Sequence, residues 1–147
     1  MKNNVKKAMK MAVALCMVAV MLLGTPTNAL AAGYTKSYTK TFNLKNGREL
    51  WILMNNKKPA KITVTVDATS GKAMNVIATV PNAKEVKNNL VLQGKKKMKG
   101  TIKATVGKSA SLYVTNYGYG NVKVKVKISA GSKIIKIKKK KITNNIG

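Results

Sequence analysis

Chemistry in this chain would have to be built from lysine, serine and tyrosine. General acid–base and nucleophilic catalysis draw mostly on His, Cys, Asp and Glu. The 147 residues contain no histidine, one cysteine and three carboxylates against 29 lysines and arginines. The cysteine is Cys16 and the carboxylates are Glu49, Asp67 and Glu85. A metal site needs several such ligands converging, so no catalytic residue, no metal and no other cofactor is expected. Ser70 with Lys72, and Lys108 with Ser109, have the residue types of a Ser–Lys hydrolase. Neither pair sits in a recognisable motif, and such pairs arise by chance in so lysine-rich a chain.

The lysine pattern points instead to recognition of a polyanion. The formal net charge is +26, whereas a small soluble domain usually carries about 2 to 8 in magnitude. Outward lysines two apart on a strand sit about 7 Å from one another, and there they repel by roughly 0.6 kcal/mol even in water. A polyanionic partner turns that repulsion into attraction. The candidate contacts are the alternating Lys123, Lys125 and Lys127, the dense run Lys95, Lys96, Lys97 and Lys99, and the terminal Lys138, Lys139, Lys140 and Lys141. Of the tyrosines Tyr34, Tyr38, Tyr113, Tyr117 and Tyr119, the last two occupy a turn, where they could stack on sugars or bases beside the lysines. Bidentate base readout relies heavily on arginine, and Arg48 stands alone. A partner read by charge density fits better: a teichoic-acid-like polymer, an acidic polysaccharide, or extracellular nucleic acid without sequence specificity. Two rivals share the charge signal. One is a cationic antimicrobial or bacteriocin-like toxin acting on an anionic membrane surface through Lys133 to Ile142; the other is a subunit docking on an acidic protein.

The elements that must carry these lysines are strands. Apolar and polar residues alternate with period two, the sign of a half-buried strand, in Ala60-Ile62-Val64-Val66-Ala68 and Val122-Val124-Val126-Ile128. Ile102-Ala104-Val106 and Ala110-Leu112-Val114 follow the same rule, and Leu50 to Met54 is a continuous apolar run suited to a buried central strand. Turn signals at Asn46-Gly47, Asn55-Asn56, Ser70-Gly71, Gly94, Gly107, Gly118 with Gly120, and Gly131 separate the runs. The expected fold is all-β, a single antiparallel sandwich of jelly-roll or Ig-like type with about eight strands. It would span residues 32–137, with 138–147 a mobile basic tail.

Both ends of this domain resemble the bacterial pre-peptidase C-terminal domain, a secreted β-sandwich. Tyr38-Thr39-Lys40-Thr41-Phe42-Asn43-Leu44-Lys45-Asn46-Gly47-Arg48-Glu49-Leu50 is similar to that family's opening strand, turn and second strand. Ser111 to Gly120, followed by Val122 to Ser129, is similar to its closing hairpin. The resemblance implies a sandwich fold and a binding role, and no catalytic residue. In the middle, Met74-Asn75-Val76-Ile77 stands where the family has an Asp-rich strand.

Residues 1–31 read as a secretory signal peptide. Lys2, Lys6, Lys7 and Lys10 form a positive n-region, Met11 to Leu23 is apolar, and Gly24, Pro26 and Asn28 break the run before Ala29-Leu30-Ala31-Ala32. The run is short of the roughly 20 residues a transmembrane helix needs. Cleavage after Ala31 removes Cys16 and with it all thiol chemistry. The expected location is outside the cell or on its surface, and intact-mass analysis of culture supernatant should find a species beginning at or next to Ala32. A secreted form retaining Cys16 would overturn the cleavage.

Overall fold

A computed structural model describes residues 33–144; the segment read as a signal peptide, and the last three residues of the basic tail, lie outside the described residues. Nine strands follow one another: β1 Ser37–Leu44, β2 Arg48–Asn55, β3 Ala60–Ser70, β4 Asn75–Thr79, β5 Asn89–Gln93, β6 Lys97–Val106, β7 Ser109–Asn116, β8 Val122–Ala130 and β9 Ile137–Asn144. They form two antiparallel sheets, a four-stranded one ordered β1-β8-β3-β6 and a five-stranded one ordered β5-β4-β7-β2-β9. No helix occurs among the described residues. The fold is the expected sandwich.

The core follows from alternation. Val122, Val124, Val126 and Ile128 on β8 lie between the inward residues of β1 and Ile62, Val64, Val66 and Ala68 of β3, and all eight are buried. Across the layer they meet Leu50, Ile52 and Met54 of β2 and Ala110, Leu112 and Val114 of β7. Each fully buried Val, Leu or Ile contributes about 1.5–3 kcal/mol, which is what can set dozens of like charges on one small surface without unfolding it.

Three expectations need correction. β7 and β8 do not form a closing hairpin: they belong to opposite sheets, and the Tyr117–Gly120 segment is a corner between layers. Only β4 and β5 pair as chain neighbours. Second, the run from Leu50 to Met54 is central but one-sided, with Trp51 and Leu53 on the outer face. Third, residues 138–144 are not a loose tail but most of β9, paired with β2. The pairing shifts register between Leu53 and Met54, so that Lys139 faces Leu53 while Ile137 faces Met54, leaving Lys138 as the extra residue of a bulge. Ile137 and Ile142 are an odd number of residues apart, which in a regular strand would put them on opposite faces. The bulge puts both in register with inward residues, opposite Met54 and Leu50; Ile137 packs on the core, while Ile142, at the rim, stays 43 % exposed.

Asn116, fully buried at the end of β7, holds the corner. Its Nδ2 donates to Leu44 O at 3.0 Å and Gly120 O at 2.7 Å, and its Oδ1 accepts from Gly118 N at 2.9 Å. Its carbonyl accepts from Gly47 N at 2.8 Å, in a turn where Gly47 has a φ of 70°, a conformation that favours glycine. The long β4–β5 connection is latched differently. Glu85 accepts from the backbone N–H and the hydroxyl of Thr105 on β6, and Lys84 N donates to Thr105 O at 3.0 Å. The hydroxyl bond, more than the other contacts, holds the Glu85 carboxyl below the usual carboxylate range. Asn116→Ala strands several buried partners at once and should cost about 2–4 kcal/mol in a denaturant melt, with a Leu44–Gly120 corner that exchanges its amides faster.

Candidate functional site

The outer face of the four-stranded sheet is built of lysine and threonine. Reading across β6, β3, β8 and β1, the register gives the rows Lys97–Thr69–Lys123–Asn43, Lys99–Asp67–Lys125–Thr41, Thr101–Thr65–Lys127–Thr39 and Lys103–Thr63–Ser129–Ser37. Lys123, Lys125 and Lys127 thus form the expected column on β8, all exposed. Lys97, Lys99 and Lys103 form a second exposed column on β6. Neighbouring lysines are about 7 Å apart along β8 and between Lys97 and Lys99, Thr101 widens the step from Lys99 to Lys103 to about 13 Å, and β3 separates the columns by about 10 Å. Asp67 lies in the row between Lys99 and Lys125, and Glu85, bonded to Thr105, reaches the far end of the face beside Lys61 and Lys103.

The turn before β6 extends it. Ser70 N donates to Lys96 O at 2.7 Å and Met74 N to Lys95 O at 3.0 Å, so the backbone of Lys95 and Lys96 is tied down while both side chains are exposed. At the same end a depression of about 630 Å³ lies among Asn43, Lys45, Thr69, Ser70, Asn121 and Lys123. Tyr119, 93 % exposed, and Tyr117, half-exposed, stand in the adjoining corner.

The other predicted lysines lie on the opposite sheet. Its outer face carries the row Asn89–Thr79–Tyr113–Trp51–Lys141. Trp51 and Tyr113 are stacked, with centroids 6.4 Å apart and planes at 16°. Lys141 Nζ lies 4.8 Å and Lys139 Nζ 5.9 Å from the Trp51 centroid, each a cation held to an aromatic face. The indole N–H donates to Ser111 Oγ at 3.2 Å. Sequence reasoning missed this aromatic pair, because Trp51 was hidden in an apolar run; a period-two count from Leu50 would have turned it outward. Lys138 sits in the bulge, and Lys140 faces inward opposite Ile52.

The three carboxylates are dispersed. Glu49, on the outer face of the five-stranded sheet, accepts from Thr115 Oγ1 at 2.9 Å, Asp67 is on the opposite outer face, and Glu85 is held by Thr105. Among the described residues no group of three His, Cys, Asp or Glu converges. Ser70 braces a turn rather than facing a lysine ammonium: its hydroxyl donates to Asn121 O at 2.9 Å and accepts from Lys72 N at 3.3 Å.

By sequence the chain matches no family and no characterised protein. By structure it is similar to part of BtGH115A, a family GH115 4-O-methyl-α-glucuronidase with specificity for decorated arabinogalactans. There the identity is 14%, the TM-score 0.47, and 69% of this chain but only 17% of that one is covered. It is also similar to the C-terminal CBM6 of LamC from Zobellia galactanivorans, at 10% identity and TM-score 0.41, covering 68% of this chain and 94% of that. A third likeness is the carbohydrate-binding module CBM6cm-2 of Cellvibrio mixtus lichenase 5A in complex with cellotriose, at 8% identity and TM-score 0.40, covering 69% and 92%. At these scores no function passes from them to this chain.

Because the β8 lysines are exposed and repel one another, replacing Lys123, Lys125 and Lys127 together with glutamine should raise the melting temperature at low ionic strength. The gain should shrink as salt screens the charges. Val124→Lys, which places a charge in the core, should leave no cooperative melt.

Proposed function

We propose that the protein is exported and acts, without catalysis, as a binding domain that adheres by charge to anionic polymers of the cell envelope or extracellular matrix. The observation that carries this reading is the pair of lysine columns on one sheet face, Lys97, Lys99 and Lys103 beside Lys123, Lys125 and Lys127, with two carboxylates near them, Asp67 within the rows and Glu85 at the end by Lys103. Lysine ammoniums are point charges on flexible stems; a regular grid of them suits a repetitive backbone of teichoic-acid, acidic-polysaccharide or nucleic-acid type. Threonine hydroxyls between the columns add neutral hydrogen bonds. The Trp51–Tyr113 pair flanked by Lys139 and Lys141 supplies the opposite face with ring-stacking surface, which favours polymers that contain sugar rings.

The pairing of β9 weighs against the membrane-active reading. A toxin segment at Lys133 to Ile142 would need its isoleucines free to enter lipid, yet Ile134 and Ile135 are buried and Ile137 packs against the core.

The test is retention of the purified protein on immobilised teichoic acid and on an acidic polysaccharide across a salt series. Neutralising phosphates releases counterions, so log affinity should fall linearly with log salt. Glutamine at Lys123, Lys125 and Lys127 should reduce the slope by about 2 to 3 while the fold is kept. Retention that is absent at low salt, or that ignores salt, removes the polymer reading; leakage from anionic vesicles would favour the toxin.

A further inference from the structure

Edge strands β1 and β9 belong to opposite sheets and meet along one open side of the sandwich. The inward positions of β1, those opposite Ile128, Val126, Val124 and Val122 of β8, are Tyr38, Lys40, Phe42 and Leu44. Lys40 therefore stands where the alternation asks for an apolar residue. Lys140 does the same on β9, opposite the buried Ile52. The two side chains converge. Lys40 Nζ lies 5.8 Å from the Phe42 centroid, and Lys140 Nζ lies 5.9 Å from the centroid of Tyr38, two residues along β1 from Lys40.

Three unfavourable features coincide here. Lys140 is held below the ordinary lysine range, first by the neighbouring Lys40 and then by burial. Tyr38 has a buried hydroxyl with no hydrogen-bond partner, and burial holds it above the ordinary tyrosine value. No carboxylate among the described residues relieves the pair, because Glu49, Asp67 and Glu85 are all engaged or placed elsewhere. Inward lysines on edge strands can serve simply to block edge-to-edge pairing. That role accounts for one inward lysine on each edge. It does not account for the two standing beside each other and beside a buried hydroxyl left unpaired.

We infer that the β1–β9 edge is a binding site for a phosphate group, with Lys40 and Lys140 as its cationic ligands and the Tyr38 hydroxyl as a neutral donor. A dianion with several oxygens accepts from both ammoniums at once and converts their repulsion into two charge-assisted hydrogen bonds. The Tyr38 hydroxyl, which has no partner within the protein, donates a third. The phenyl ring of Phe42 walls the site. This goes beyond adhesion to polymer through the lysine columns, and neither reading requires the other.

The experiment is a thermal melt of the purified protein against inorganic phosphate, at constant ionic strength balanced with chloride. A second arm uses a short oligothymidylate with and without a 5′-phosphate, to distinguish free phosphate from a polymer chain end. Phosphate should raise Tm saturably, by about 5 °C near saturation. Lys40→Gln and Lys140→Gln should each abolish the shift. Tyr38→Phe, which keeps the ring and the fold, should weaken binding about five-fold, the loss expected for one neutral hydrogen bond. The Lys123, Lys125 and Lys127 glutamine variant should respond like the parent protein. No saturable shift in the parent, or an undiminished shift in the Lys40→Gln, Lys140→Gln double variant, overturns the site. Loss of the shift in the β8 variant overturns it too, by moving phosphate to the sheet face.

Discussion

Everything in this molecule depends on keeping charge out of a thin apolar layer. The chain carries so little negative charge that an inward lysine has almost no internal partner, and an unpaired buried ammonium is among the costliest things a protein can hold. The central strands therefore send their valines and isoleucines one way and their lysines the other, and inward lysines are confined to the edges, at Lys40 of β1 and Lys140 of β9. The two-layer architecture is the arrangement that lets the central strands do so. β8 is the plainest instance, with Val122, Val124, Val126 and Ile128 buried and Lys123, Lys125 and Lys127 exposed. The grid of charge on the outer face is the same fact seen from outside.

That coupling explains which parts of the structure were legible in the sequence. The two-residue period of β3, β6 and β8 gave both the core and the β8 lysine column, since one cannot be read without the other. The second column on β6 is only half legible: Lys97 and Lys99 stand out as part of a dense run, but Lys103 does not, because its place beside β3 comes from pairing register, which no local pattern encodes. β9 escaped for a sharper reason. Its isoleucines are in phase only after the bulge at Lys138 is counted, and a bulge leaves no period of its own. The turns were correctly placed but misread as to destination. A glycine or asparagine marks where the chain reverses, whereas whether it returns to the same sheet or crosses to the other is decided by burial, as Asn116 does at the β7–β8 corner.

The two outer faces differ in kind. One is a lattice of lysine and threonine with no large apolar side chain in its rows; the other sets Trp51, Tyr113 and Leu53 among lysines from a single edge strand. The lysines of β9 do two things there. Their charges blunt the edge of the sheet against pairing with another chain, and two of them lie on the indole, covering apolar surface that would otherwise be open to water.

The order of the strands has a consequence for when the fold can form. β1 pairs with β8 alone, and β2 is completed on one side by β7 and on the other by β9. Apart from the short β4–β5 hairpin, no strand can be satisfied by its neighbour in the chain, so most of the sequence must be present before the first strand has a partner. Topologies dominated by such distant pairings fold in milliseconds to seconds rather than microseconds. During synthesis β1 emerges first and waits for β8, so the strand made earliest is among the last to be paired.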